Sequence, residues 1–185
     1  MNKKVFIGSG LTLIVLSLIW LVITPVLYPG VQAGTASAAH PGFRAPDFTL
    51  ETPQGELITL SDFTGQPVLV FFWTSWCSVC KATMPGLQSA YQDYAPDGFA
   101  LLAVNATSQD ALAAAESYFQ SQGYTFTLLL DRDGSVARDY QMHAVPTSIL
   151  IDRNGIVTDV VIGSGMSEGF LRARLDGILV TGEGE

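Results

Sequence analysis

Cys77 and Cys80, two residues apart, are the only cysteines among the 185 residues of the chain. A thiol pair at this spacing can interconvert between dithiol and disulfide, staple a short loop, or supply half of a metal site. A four-residue loop removes little chain entropy, so a purely structural bridge gains little. Two thiols plus His40 and His143, the two distant histidines, are a thin ligand set for a metal. Redox exchange is the chemistry the spacing favours, and the flanking residues strengthen that reading. Val68-Leu69-Val70-Phe71-Phe72-Trp73 is an apolar run too short for a packed helix and reads as a buried central strand. Helix-forming residues continue from Cys77 to about Tyr94, with Pro85 inside, a proline expected to kink the helix. The cysteines therefore fall where a strand gives way to a helix.

The elements needed to hold that junction can be read on both sides of it. Pro46–Leu50 and Leu57–Leu60 are short alternating runs around a turn with Pro53 and Gly55, the pattern of a β-hairpin laid before the main domain. Phe99–Asn105 reads as a second buried strand, Gln109–Gln122 as a helix ending at Gly123, and Thr125–Leu130 as a third strand. A small helix at Val136–Tyr140 follows the turn Asp131-Arg132-Asp133-Gly134. A strand through Ile151 turns at Asp152-Arg153-Asn154-Gly155 into a strand at Ile156–Ile162, and a helix at Ser167–Val180 closes the chain. Strands alternating with helices, then a hairpin and a helix, predict an α/β fold whose mixed sheet is covered on both faces.

The first 42 residues have a different composition. After Lys3 and Lys4 no charged side chain appears until Arg44, and residues 5–27 are apolar apart from small residues and Pro25. As a helix this stretch reaches roughly 34 Å, against roughly 30 Å of hydrocarbon. It reads as a single transmembrane anchor, with residues 1–4 cytoplasmic and the remainder outside. A cleaved signal peptide ending near Ala36-Ser37-Ala38 is the rival, but the apolar run exceeds the usual h-region. Residues 28–42, rich in Ala, Gly, Ser and Thr, read as a flexible linker, with the globular domain at 43–181 and a short tail at 182–185. Removing Lys3 and Lys4 leaves seven basic side chains against 17 acids, a net of −10. Such a domain has no electrostatic footprint for nucleic acid. Either reading of the leader exports the domain to where disulfides persist.

Taken together, several short motifs carry a resemblance. Pro46-Asp47-Phe48, Phe72-Trp73-x-x-Trp76-Cys77-x-x-Cys80-Lys81, Pro85, Val145-Pro146-Thr147 and Asp152-x-x-Gly155 resemble the thioredoxin superfamily. Within it they resemble the membrane-anchored, extracytoplasmic TlpA/ResA-like thiol–disulfide oxidoreductases, over about residues 43 to 180. The resemblance implies a thioredoxin fold with an added N-terminal hairpin, and a cis Val145–Pro146 bond beside the cysteines. It also implies Trp76 at the edge of the site and Lys81 as a nearby positive charge, with Val145 and Pro146 shaping the surface for an extended substrate. Position assigns the thiol roles. Cys77, at the first helical turn, meets unpaired N–H groups and the helix dipole and is the attacking thiolate. Cys80, one turn further in, resolves the mixed disulfide. No cofactor beyond the disulfide is implied, and no metal.

Two positions depart from the family pattern. Thioredoxins carry a buried proton-relaying aspartate six residues before the first cysteine, where this chain has Phe71. Some ResA-like proteins carry a functional glutamate after the second strand, and the register puts Ser108 there. Water, Lys81 or His143 then remain as proton acceptors. The expected activity is exchange with protein substrates, in the manner of reductases that serve apocytochrome c or copper-site proteins and draw on a membrane-embedded reductant. The same residues at a higher potential would oxidise exported proteins. Two other chemistries use the same cysteines. A peroxiredoxin-type peroxidase suits Thr74, three residues before Cys77, but not Val70 where a proline is expected. A copper-handling module would use Cys77, Cys80 and His143.

Overall fold

The apolar run ahead of the cysteines is strand β3 (Val68–Trp73), and all six of its residues are buried in the computed structural model. The structure describes residues 37–181. The expected membrane span at 5–27 and the tail at 182–185 lie outside the described residues, and among those described no helix is long and apolar enough to cross a membrane.

A strand that is apolar on both faces needs a layer on each. Six further strands join β3: β1 (Thr49–Glu51), β2 (Leu57–Thr59), β4 (Ala100–Asn105), β5 (Thr127–Leu130), β6 (Thr147–Ile151) and β7 (Val157–Ile162). They form one sheet in the order β2-β1-β5-β4-β3-β6-β7. β3 runs parallel to β4 and antiparallel to β6, so the sheet is mixed, as the alternation of elements predicts. The hairpin is not a separate preface. Glu51 of β1 pairs with Leu130 of β5, which makes β1 and β2 the edge of the same sheet.

The two faces of β3 enter two different cores. Leu69, Phe71 and Trp73 pack with Met84 and Leu87 of α1 (Ser78–Tyr94), Phe119 of α2 (Leu112–Gln122), and Leu171 and Leu175 of α4 (Glu168–Thr181). Val68, Val70 and Phe72 pack on the other side with Phe48, Leu60, Ile149 and Val136 of α3 (Ser135–Asp139). Each fully buried side chain of this size contributes about 1.5–3 kcal/mol. α1 continues through Pro85 to Tyr94, and α2 begins three residues later than the periodicity suggests, after a single 3₁₀ turn at Thr107–Gln109. Gly123 ends α2 in the left-handed conformation at φ 67°.

Two of the sequence motifs act as fasteners. The Tyr140 hydroxyl donates to the Pro46 carbonyl at 2.7 Å, and its ring lies against Phe48 and Phe72. Asp47 Oδ1 accepts from the Ser61 amide at 3.0 Å and so ties the strand start to the turn after β2. In the β6–β7 turn, Asp152 Oδ1 accepts from the amides of Asn154 and Ile156, and Gly155 takes φ 78°. Residues 38–45, part of which composition places in the linker, are laid against the start of β7. Gly42 donates to Val157, Val157 to Phe43 and Ala45 to Gly155, and Ala39 is buried.

Asp131, at the end of β5, is fully buried and accepts from the amides of Val136 (3.3 Å) and Ala137 (2.8 Å) at the start of α3. Burial raises its carboxyl pKa above the ordinary value, against the lowering effect of those two amides. Asp131→Ala strands two buried donors and is expected to destabilise the fold by about 2–4 kcal/mol. Urea unfolding of the full-length protein checks this. A loss under about 0.5 kcal/mol would mean that α3 finds other acceptors.

Candidate active site

Cys77 caps α1. Its backbone is extended (φ −78°, ψ 106°), its Sγ accepts the Cys80 amide at 3.0 Å, and its own amide donates to the Thr74 carbonyl at 3.2 Å. The first turn of α1 contains no acidic residue, so nothing on the helix offsets the partial positive charge of its N-terminus. Cys77 and Cys80 form a disulfide with a Cα–Cα distance of 5.2 Å. The pair is asymmetric. Cys77 retains 6 % exposure while Cys80 has none. The accessible sulfur is thus the one at the helix terminus, where a thiolate is favoured, and the other sulfur lies buried behind it.

The Val145–Pro146 bond is cis, as the resemblance implies. Phe72 is paired with Thr147, so Pro146 lies just beyond the β6 register at the end of β3 that leads into the cysteines. Val145 is half-buried against the core cluster that contains both cysteines, and the Pro146 carbonyl accepts from the Gly163 amide at 2.8 Å. On this rim three large apolar side chains stand out. Trp76 is 62 % exposed, Val79 between the cysteines 41 %, and Ile162, paired with Thr147, 63 %.

The other expected site residues sit as follows. The Lys81 ammonium lies 4.7 Å from the centroid of the Tyr118 ring, on the α2 side of the helix, so it is engaged by an aromatic face. His143 is exposed on the loop before Val145. Phe71 is fully buried. Ser108 is turned to the β5–α3 turn. Its amide donates to the Asp131 carbonyl, and a Cβ on Gly134 would meet its Oγ at 2.8 Å. Trp73 is core, its ring tilted against those of Tyr118 and Phe119. Among the described residues no group of three or more His, Cys, Asp or Glu side chains could hold a metal ion.

Sequence reasoning missed Asp110. Its Oδ2 accepts from the Ser75 amide at 2.5 Å and from Asn105 Nδ2 at 2.8 Å, and its Oδ1 accepts from the Ser75 hydroxyl at 2.6 Å. The neighbouring Gln109 carbonyl accepts from the Trp76 indole at 3.1 Å. Burial pushes the Asp110 carboxyl up, but the bonds from Ser75, Asn105 and Ala111 outweigh it and hold the pKa below the ordinary value. Ionised Asp110 therefore stabilises the fold in full above the ordinary carboxylate range, and that contribution fades as pH falls through the lowered folded value. No spacing rule links residue 110 to residue 75, and only the folded sheet brings them together.

The comparisons with known proteins agree with this geometry. Residues 41–160 match the AhpC/TSA family. The chain belongs to that family. It is 32 % identical over 163 residues to the thiol-disulfide oxidoreductase ResA of Bacillus subtilis, covering 88 % of this chain and 87 % of the relative. It is 34 % identical over 136 residues to the thioredoxin-like protein YneN of the same organism, covering 73 % and 78 %. The crystal structure of a Chlorobium tepidum protein described as thiol:disulfide interchange protein DsbE superposes with a TM-score of 0.70. That likeness comes at 33 % identity and covers 76 % of this chain and 98 % of the other. The fold is thioredoxin-like, and the chain is a thiol–disulfide oxidoreductase whose redox pair is Cys77–Cys80.

The asymmetry of the pair sets an expectation for single substitutions. Cys77→Ser is expected to abolish exchange. Cys80→Ser is expected to attack once and remain joined to the substrate through Cys77. Non-reducing electrophoresis and mass spectrometry after mixing with a protein disulfide read the adduct. An adduct that accumulates in Cys77→Ser instead would reverse the roles.

Proposed function

We propose that this protein is a membrane-tethered reductase of protein disulfides on the extracytoplasmic side, of the type that keeps apocytochrome c or copper-site cysteines reduced. The observation that carries the exchange chemistry is the capping position of Cys77, with Cys80 buried behind it. The apolar run at residues 5–27 behind Lys3 and Lys4 supports the tether and its orientation.

In the reductive direction the Cys77 thiolate attacks one sulfur of a client disulfide. The client S–S bond breaks, a Cys77–client bond forms, and the released client sulfur takes a proton. Cys80 then loses its proton and attacks Cys77 Sγ. The mixed disulfide breaks, Cys77–Cys80 forms, and the second client thiol leaves. Two electrons and two protons pass to the client, and a membrane-embedded dithiol donor restores the reduced pair. With Phe71 and Ser108 where the family pattern has carboxylates, solvent, Lys81 or His143 serves as acceptor for the Cys80 proton. Trp76, Val79 and Ile162 offer the client an apolar rim, and the residues beside cis-Pro146 offer backbone for an extended segment.

The reduction potential of the full-length protein in mild detergent, equilibrated against glutathione or dithiothreitol buffers, tests the direction. A reductase is expected at or below about −250 mV, near thioredoxin at about −270 mV. A value above about −150 mV, toward DsbA at about −120 mV, would replace this reading with an oxidant of exported proteins.

A further inference from the structure

An aspartate just ahead of a helix ordinarily caps it by accepting amides of the first turn. Asp110 precedes α2 but is spent elsewhere. The α2 cap position is Ala111, which makes no side-chain cap bond, and Asp110 takes only the Ala111 amide locally, at 2.8 Å. It also reaches across the sheet end to Ser75, 35 residues earlier, accepting from both the amide and the hydroxyl. Asn105, fully buried at the end of β4, is aimed at the same carboxylate and braces it. The next residue on each side repeats the connection, since the Trp76 indole is held by the Gln109 carbonyl. The loop before α2 thus grips two consecutive residues of the segment that delivers Cys77.

That segment governs the reactive sulfur in two ways. Thr74, adjacent to Ser75, supplies the carbonyl that receives the Cys77 amide, and Trp76 forms the exposed edge over which a protein substrate must approach. The grip also brings a negative charge to the backbone two residues before Cys77, opposing a thiolate there. Lys81 on α1 and His143 before β6 are the other titratable side chains that the sequence places near the pair. The Lys81 ammonium is directed over Tyr118.

We propose that Asp110 is a positioning residue for disulfide exchange. Its carboxylate clamps Ser75, holds the Ser75–Trp76 edge in the shape that meets a protein substrate, and restrains the acidity of Cys77. The proposal rests on exchange at Cys77 and is independent of its direction.

Three variants of the full-length protein separate the effects. Asp110→Asn keeps the side-chain shape and removes the charge, Asp110→Ala removes both, and Ser75→Ala removes the hydroxyl partner. In the reduced protein, the pH midpoint of Cys77 alkylation by iodoacetamide is expected to fall by about half a unit to one unit in Asp110→Asn. With insulin as substrate, kcat/KM per folded molecule is expected to fall about tenfold in Asp110→Ala. The rate with a small aromatic disulfide is expected to change less than about twofold, because a small disulfide does not need the Trp76 edge. Adding Ser75→Ala to Asp110→Ala is expected to cost less than the two changes summed. An unmoved alkylation midpoint in Asp110→Asn overturns the proposal. So does an equal loss of insulin and small-disulfide activity in Asp110→Ala. Either result makes Asp110 a loop fastener only.

Discussion

The amide groups at the start of α1 have no carbonyl partners within their own helix, and the structure answers one of them with a sulfur. Cys80 N–H points at Cys77 Sγ at 3.0 Å, in the place where a serine or aspartate oxygen would ordinarily cap. In the reduced state that same arrangement meets an anionic sulfur, and it becomes stronger as charge develops. Everything else in the domain serves to put this helix end at the rim. β3 must be apolar on both faces because it is the rail that delivers the cysteines, and a rail in mid-sheet is covered on both sides. α1 must be packed firmly, and its Met84 and Leu87 are fully buried against that rail.

The surroundings of the pair differ sharply from one side to the other. Toward the core, Cys80 is enclosed by apolar residues, and the place of the expected carboxylate is taken by the ring of Phe71. Toward the rim, the polar groups that could carry a charge are already committed. Asp110 is bound to Ser75 and Asn105, and Lys81 is directed to an aromatic face. Such a site holds its disulfide in largely apolar surroundings.

How much of this was legible beforehand depended on whether a feature is local in the chain. The strand-to-helix junction, the Asp152–Gly155 turn and the order of the elements each leave a pattern within about a dozen residues, while the cis proline came only with the family resemblance. The joining of β1 to β5 leaves no such pattern. A three-residue strand carries no sign of its second neighbour, so the hairpin looked like a preface. The 3₁₀ turn at Thr107–Gln109, which sets Ser108 against Gly134, leaves no local signature either. Nothing local in the chain marks Asp110 as part of the site. Its partner lies 35 positions away, and an N-terminal helix aspartate is the ordinary use of that residue type. The packing of residues 38–45 against β7 was hidden by composition, since small residues suit a tether and a close backbone approach equally well.

That last contact fixes where residues 38–45 meet the sheet. The backbone enters along Val157, at the start of β7, while Ile162 at the other end of the same strand stands beside the cis-proline rim. Six residues of extended chain, roughly 20 Å, separate the point of entry from the reactive edge. The chain therefore joins the domain at one end of β7, and the apolar rim beside the sulfur pair stands at the other.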